Sequence, residues 1–273
     1  MSDILSLLND PIAVQRSQVV VKANQLIQNS RFNLSLQQQK IVLYLISQIA
    51  PYDEEFRTYE FSISEFCKVC GIEEVSGKHY NDLKDAIKEI ADKSVWITRE
   101  DGTDTIVRWI EKPYINPKSG IVQIKLDEDM KPYLLQLKEN FTKYELFWTI
   151  NFKSKYTVRL YELVKSIHYN EQETYSRTYT LDELRKIMGA EGYQVYNDFK
   201  KRVLQPAVEE INEYSDKNVT FIPLKKGRSV DRITLEVSSK DSVDAFYLRL
   251  EMENRLGNNG GQTSLWDAEQ AEE

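Results

Sequence analysis

The apolar positions of this chain fall into two similar successions of helix and strand. Gln18 to Val21 reads as a strand ahead of both. From Ser35 onward, Ile41, Val42, Leu45, Ile46 and Ile49 recur at helical spacing. Gln38, three residues after Ser35, predicts a capping box, and Pro51 predicts the stop. Thr58 to Phe61 reads as a short strand. Ser62 with Glu65 predicts a second capped helix that buries Phe66, Val69 and Cys70 and ends at Gly71. A third helix is predicted from Lys78 to Ala91, with Tyr80, Leu83, Ile87 and Ile90 on one face. Strands at 95–98 and 105–109 flank the turn Asp101-Gly102, and Ile121 to Ile124 is a further strand. A short helix over 127–137 is expected to be interrupted near Pro132.

The second half repeats the scheme. Ser154 opens a helix carrying Val158, Tyr161, Leu163 and Val164. Arg177 to Tyr179 is the short strand. Thr180 and Glu183 cap a helix that buries Leu184, Ile187 and Met188 and stops at Gly189. A long helix from Tyr193 to Tyr214 carries Tyr196, Phe199, Val203, Ala207 and Ile211, and Pro206 within it predicts a kink. Strands at 218–224 and 232–237 flank Lys225-Lys226-Gly227-Arg228. A last helix, 241–256, closes at Gly257. The pentapeptide Tyr80-Asn81-Asp82-Leu83-Lys84 returns as Tyr196-Asn197-Asp198-Phe199-Lys200 at the matching place, which marks an internal repeat. Helix, strand, helix, helix, hairpin is the order of a winged helix, a helix-turn-helix with an added hairpin. The fold class is therefore α+β, a tandem repeat of two winged-helix domains. The expected divisions are a flexible arm (1–16), a first domain (17–140), a second domain (141–256) and a disordered acidic tail (257–273).

Composition narrows the function. Hydrophobic content of 41% with 29% charged residues fits a soluble globular protein. No apolar run approaches a membrane-spanning length, so no membrane partner is expected. The acidic start, Met1 to Asp10, is unlike a signal peptide, and the two cysteines fit a reducing cytosol, so a cytoplasmic protein is expected. A net charge of −7 excludes a uniformly basic coat for nucleic acid but leaves room for a local basic face.

The repeat supplies an internal control for that face. In a helix-turn-helix the second helix enters the major groove. In the second copy, the face opposite the apolar stripe holds Gln194, Asn197, Asp198, Lys201 and Gln205, flanked by Lys200 and Arg202. Amide and cationic side chains suit adenine and guanine edges and phosphates. Lys225, Lys226 and Arg228 form a basic wing tip. In the first copy the matching face holds Lys78, Asn81, Asp82, Asp85 and Glu89, and the turn Glu100-Asp101-Gly102-Thr103-Asp104 would repel phosphates. The second domain is therefore expected to read double-stranded DNA. The first is expected to contribute weaker contacts through Lys78, Asn81 and Lys84, with Lys88 nearby.

Several stretches resemble one family. They are Val19-Val20-Val21-Lys22-Ala23-Asn24-Gln25-Leu26-Ile27 and Leu34-Ser35-Leu36-Gln37-Gln38-Gln39-Lys40. Tyr156-Thr157-Val158-Arg159-Leu160-Tyr161-Glu162-Leu163 and Phe199-Lys200-Lys201-Arg202-Val203-Leu204-Gln205-Pro206-Ala207 complete the set. The chain resembles the replication initiator (Rep) proteins of iteron-containing, theta-replicating plasmids. The resemblance implies two winged-helix domains and monomers that bind direct repeats (iterons) at an origin. It also implies help in opening the duplex, recruitment of host replication proteins, and dimers, joined through the first domain, that repress the initiator's own gene. Family members touch DNA with the first domain as well, from which the acidic face seen here departs.

Other motifs carry less. Cys67-Lys68-Val69-Cys70 has no second pair and matches a core position of the other copy, so it reads as structural. Gly71 to Gly77-Lys78-His79 misses P-loop spacing and has His in place of Ser or Thr. A tyrosine nicking enzyme would need a close histidine pair for its metal, and His79 and His168 lie far apart. No catalytic residue, metal or cofactor is expected. After the spacer Asn258-Asn259-Gly260-Gly261, Gln262-Thr263-Ser264-Leu265-Trp266 resembles the sliding-clamp-binding peptide of bacterial replication proteins. Gln262, Leu265 and Trp266 would be its contacts, and Thr263 departs from the commoner Leu. A tandem winged-helix repressor without a replication role is the alternative reading of the whole chain.

Overall fold

The computed structural model describes residues 10–72, 75–168 and 174–258. Its first described residues, 10–16, are not the loose arm expected there. Asp10 caps a helix, α1 (Pro11–Arg16), through an N–H of Ile12, with proline at the tolerated first position. Arg16 at its end is buried: its guanidinium donates to the carbonyls of Lys68 and Val69 and pairs with Glu253 at 2.6 Å. These bonds, which link residues distant in sequence, anchor 10–16, and no local pattern announces them.

Strand β1 (Val19–Ala23) pairs antiparallel with β8 (Phe141–Glu145), from Val19 opposite Glu145 to Ala23 opposite Phe141. The chain on both sides of residue 140 thus shares a sheet. Between these strands lie α2 (Asn24–Gln28), β2 (Ser30–Arg31) and α3 (Leu36–Ser47). The Ser35–Gln38 capping box forms in both directions. Every residue of α3 is buried, where a one-sided stripe was expected, because α3 packs against elements of both halves.

The first winged unit continues with β3 (Tyr59–Ser62), α4 (Ile63–Val69), α5 (Gly77–Asp92) and the hairpin β4 (Ser94–Thr98) and β5 (Asp104–Arg108). Its sheets differ from the expected plan. The hairpin pairs with β2, whereas β3 pairs with β7 (Ile121–Ile124), which also pairs with β6 (Tyr114–Ile115). Strand β5 pairs only with β4, and β3 takes its partner from the strand at 121–124 instead. The expected helix over 127–137 is a 3₁₀ turn (Glu128–Met130) and a short α6 (Lys131–Leu134).

After α7 (Leu146–Ile150) and α8 (Lys155–Ile167), the second unit follows the expected plan: β9 (Tyr175–Thr180), α9 (Leu181–Met188), a long helix, β10 (Lys217–Lys226) and β11 (Ser229–Ser239). Strand β11 is central: residues 232–237 pair with β10 on one edge and with β9 on the other. The Thr180–Glu183 capping box is complete, and Gly189 ends α9 in the left-handed conformation. The last helix, α12 (Ser242–Asn258), returns to the first unit. There Met252 is buried, Arg249 reaches Glu145 and Ser17, and Leu256 covers Gly71.

One apolar core runs through both units. Charge is buried within it. Lys22 pairs with Glu162 at 2.7 Å, both almost fully enclosed, and the Tyr144 hydroxyl donates to the same carboxylate. Arg159 donates to the carbonyls of Ile187 and Ser30 and lies 4.1 Å from the Phe32 ring centre. Lys40 donates to the carbonyl of Ile150 at 2.7 Å. Three of the four stretches that carry the family resemblance therefore supply these buried polar groups.

Candidate nucleic-acid interface

In the first unit, α5 is the second helix of the helix-turn-helix. Ser76 caps it, and His79 completes a capping box by accepting from the Ser76 N–H at 3.1 Å. Lys78, Asn81, Lys84, Asp85, Lys88 and Glu89 are exposed on it. Several of its charges are paired locally: Lys88 with Asp92, and Lys93 with Glu89. The hairpin tip satisfies itself. Asp101 accepts from the N–H and hydroxyl of Thr103, which holds its carboxyl below the usual carboxylate range. Asp104 accepts from Thr98 and pairs with Arg31 at 2.9 Å.

In the second unit the long helix begins at Tyr196, so Gln194 lies in the preceding loop. Its amide donates to the carbonyl of Glu191 at 2.6 Å. Buried Arg185 of α9 donates to the carbonyl of Gln194 at 2.8 Å and lies 5.5 Å from the Phe199 ring centre. Arg185 thus fixes the approach to the helix, a positioning role that sequence periodicity does not reveal.

The helix is three segments: α10 (Tyr196–Phe199), a π-helical turn (Lys200–Leu204) and α11 (Gln205–Tyr214). Pro206 was expected to kink it; the irregularity is the π turn just before the proline. The turn adds one residue to the buried side, so Val203 and Leu204 are both buried, as are Ala207 and Val208. Asn197, Asp198, Lys201 and Arg202 are exposed. Lys200 is half-buried, 5.9 Å from the Phe221 ring centre. Gln205 is half-buried too, and its amide donates to Glu209 at 2.6 Å.

The wing is a long hairpin closed by the two-residue loop Gly227-Arg228, with φ +66° at Gly227. Lys225, Lys226 and Arg228 are exposed at its tip. Among the described residues, no carboxylate lies within ion-pair distance of these three, nor of Lys201 or Arg202. The two copies thus differ in kind: one tip carries unpaired cations, the other self-satisfied acids. Gln262, Leu265 and Trp266 lie outside the described residues.

Known proteins place this arrangement. Residues 19–165 match the family described as "Initiator Replication protein, WH1", and residues 180–237 match "Initiator Rep protein, WH2". The chain belongs to this family of replication initiators. A "Replication initiation protein" of Escherichia coli is 29% identical over 246 residues, which cover 86% of this chain and 73% of that protein. The "PI protein" of Escherichia coli is 24% identical over 169 residues, 53% of this chain and 54% of its own length. Among solved structures, Pi initiator protein in complex with iteron DNA matches with a TM-score of 0.68 at 18% identity, covering 83% of this chain and 99% of that one. That likeness shows the fold, two winged helices in tandem.

Within this initiator, burial pushes the Cys67 and Cys70 thiols up to about 12 and about 11, far from a reactive thiolate. Among the described residues, no group of three or more His, Cys, Asp or Glu side chains could hold a metal. No helix among them is long and apolar enough to cross a membrane.

Proposed function

We propose that this protein initiates plasmid replication by binding direct repeats at an origin, with the second winged helix as the main reader. The observation that carries the reading is the set of unpaired cations on one helix face and wing, Lys201, Arg202, Lys225, Lys226 and Arg228. Asn197 and the cation–π-seated Lys200 extend it, and Gln194 and Gln205 border it. The first unit adds phosphate contacts through Lys78 and Lys84, with Asn81 beside them. The protein acts by binding, not by catalysis: it strains and opens the duplex and gathers host replication proteins. As a dimer it represses its own gene. Gln262, Leu265 and Trp266 dock a sliding clamp, with Leu265 and Trp266 filling an apolar pocket.

A nuclease footprint on DNA flanking its gene tests the reading. Protection of several evenly spaced direct repeats is expected. Protection of one inverted repeat alone would leave only repression, and no protection at low salt would sink sequence-specific binding. For the tail, truncation after Gly257 should abolish retention on immobilised clamp.

A further inference from the structure

The π turn in the long helix follows from the core. At about 100° per residue, a uniform helix seated by Phe199 and Val203 would bury Pro206 and Glu210 and turn Ile211 away. One seated by Ala207 and Ile211 would bury Lys200 and expose Phe199. The single residue added by the turn lets Phe199, Val203, Ala207 and Ile211 all reach the core, where each is buried, and turns Pro206 outward.

This arrangement leaves a main-chain group without its partner. Within the turn, the Gln205 N–H donates to the carbonyl of Lys200, five residues back. In an α-helix it would have served Lys201. The next residue, Pro206, has no N–H to take over. The Lys201 carbonyl therefore has no main-chain donor four or five residues ahead. The residues around it in sequence and one turn ahead, Lys201, Arg202 and Pro206, are exposed. An acceptor so placed can accept from outside the helix, from water in the free protein or from a bound ligand.

We infer that the Lys201 carbonyl is a reading group for DNA, accepting a hydrogen bond from an exocyclic amino group of cytosine or adenine in the major groove. The major groove offers such donors only on those two bases. The carbonyl complements its neighbours: cationic side chains seek guanine and phosphate acceptors, and the carbonyl seeks a donor. One position of the bound sequence is thus fixed by backbone geometry and not by a side chain. Pro206 is a positioning residue, since it keeps the carbonyl open without touching DNA through a donor of its own. The inference rests on the proposed reading of direct repeats by the second unit.

The test pairs a protein variant with altered DNA. Pro206→Ala restores an N–H that can bond to the Lys201 carbonyl. Duplexes carry the protected repeat with one adenine replaced by purine, or one cytosine by 2-pyrimidinone, scanned position by position. At one position, loss of the amino group should weaken the wild-type chain about fivefold, the size expected for one hydrogen bond. The P206A chain should bind the intact repeat about fivefold more weakly and ignore that replacement, with the same salt dependence as wild type, since no charge changes. Pro206→Ser restores the same N–H and serves as a second version should P206A melt early. If no replacement weakens wild type, or if it weakens wild type and both variants equally, the inference is overturned. A wild-type chain that binds the repeat no better than scrambled DNA overturns the proposed function first.

Discussion

Lys201 and Arg202 reach solvent with no carboxylate beside them, whereas Lys88 and Lys93 of the first unit lie against Asp92 and Glu89. Free cations retain their full charge for a ligand, and paired ones must first give up a partner. Arg202→Ala should therefore cost roughly 1–3 kcal/mol on the specific repeat and relax discrimination there. Lys225→Ala should weaken all sequences alike and lower the salt slope by about one. Gel-shift titrations at several salt concentrations separate the two, and unchanged curves for both would refute the assignment of this face. Buried lysine behaves differently. Burial pushes the Lys40 ammonium down to about 8 from the ordinary 10.5. A lysine with a lowered folded pKa destabilises the fold while charged, and this deficit fades as pH rises above the folded value. Between pH 8 and 10.5, the wild-type chain should gain roughly 3 kcal/mol on Lys40→Met. Parallel denaturant titrations across that range check it, because the other titrating groups cancel in the difference.

At the scale of elements, local signals served best where local physics decides. The capping boxes at Ser35 and Thr180 form as the sequence predicts, and Gly189 ends its helix in the left-handed region, because each needs only groups a few residues apart. Gly71 is legible only in part. Its φ of +81° explains the glycine after α4, but a Cβ there would also meet Leu256 Cδ2 at 2.5 Å, a neighbour far along the chain. Gly71→Ala should cost about 1–3 kcal/mol and loosen α12, seen as a lower melting midpoint and faster proteolysis of that helix. A midpoint equal to wild type would mean that Leu256 swings aside and the backbone relaxes freely. The pairing of β3 with β7 was not legible. The two halves share an order of elements, yet the hairpin edge that pairs with the short strand in the second half is not used by β3 in the first, and which edge is filled depends on the sheet itself.

Across the whole molecule, charge is enclosed in a common core and ties together segments far apart in sequence. Lys22 and Glu162 read in sequence as ordinary surface residues on a strand and a helix, yet each is almost fully buried against the other. Burial pushes Lys22 below, and Tyr144 above, their ordinary values, so this site already opposes the charged lysine. Glu162→Leu would strand that ammonium without its carboxylate and should cost about 3–5 kcal/mol. Lys22→Met combined with Glu162→Leu should recover most of the loss. Chemical unfolding of the three proteins decides this, and additive losses would argue that the pair is not coupled.

The amino-acid sequence by itself determined the repeat, the order of helices and hairpins, the capping boxes at Ser35 and Thr180, and the contrast between a basic and an acidic wing. These depend on spacing along the chain and on side-chain charge, which are local properties. The last helix, by contrast, runs through Gly257, where a stop was expected. Only the tertiary structure decided which strands pair, that residues 10–16 dock through Arg16, that all of α3 is enclosed, and that the long helix carries a π turn. Each of these is set by groups distant in sequence competing for one core. The phase of a helix or the edge of a strand follows from what it packs against.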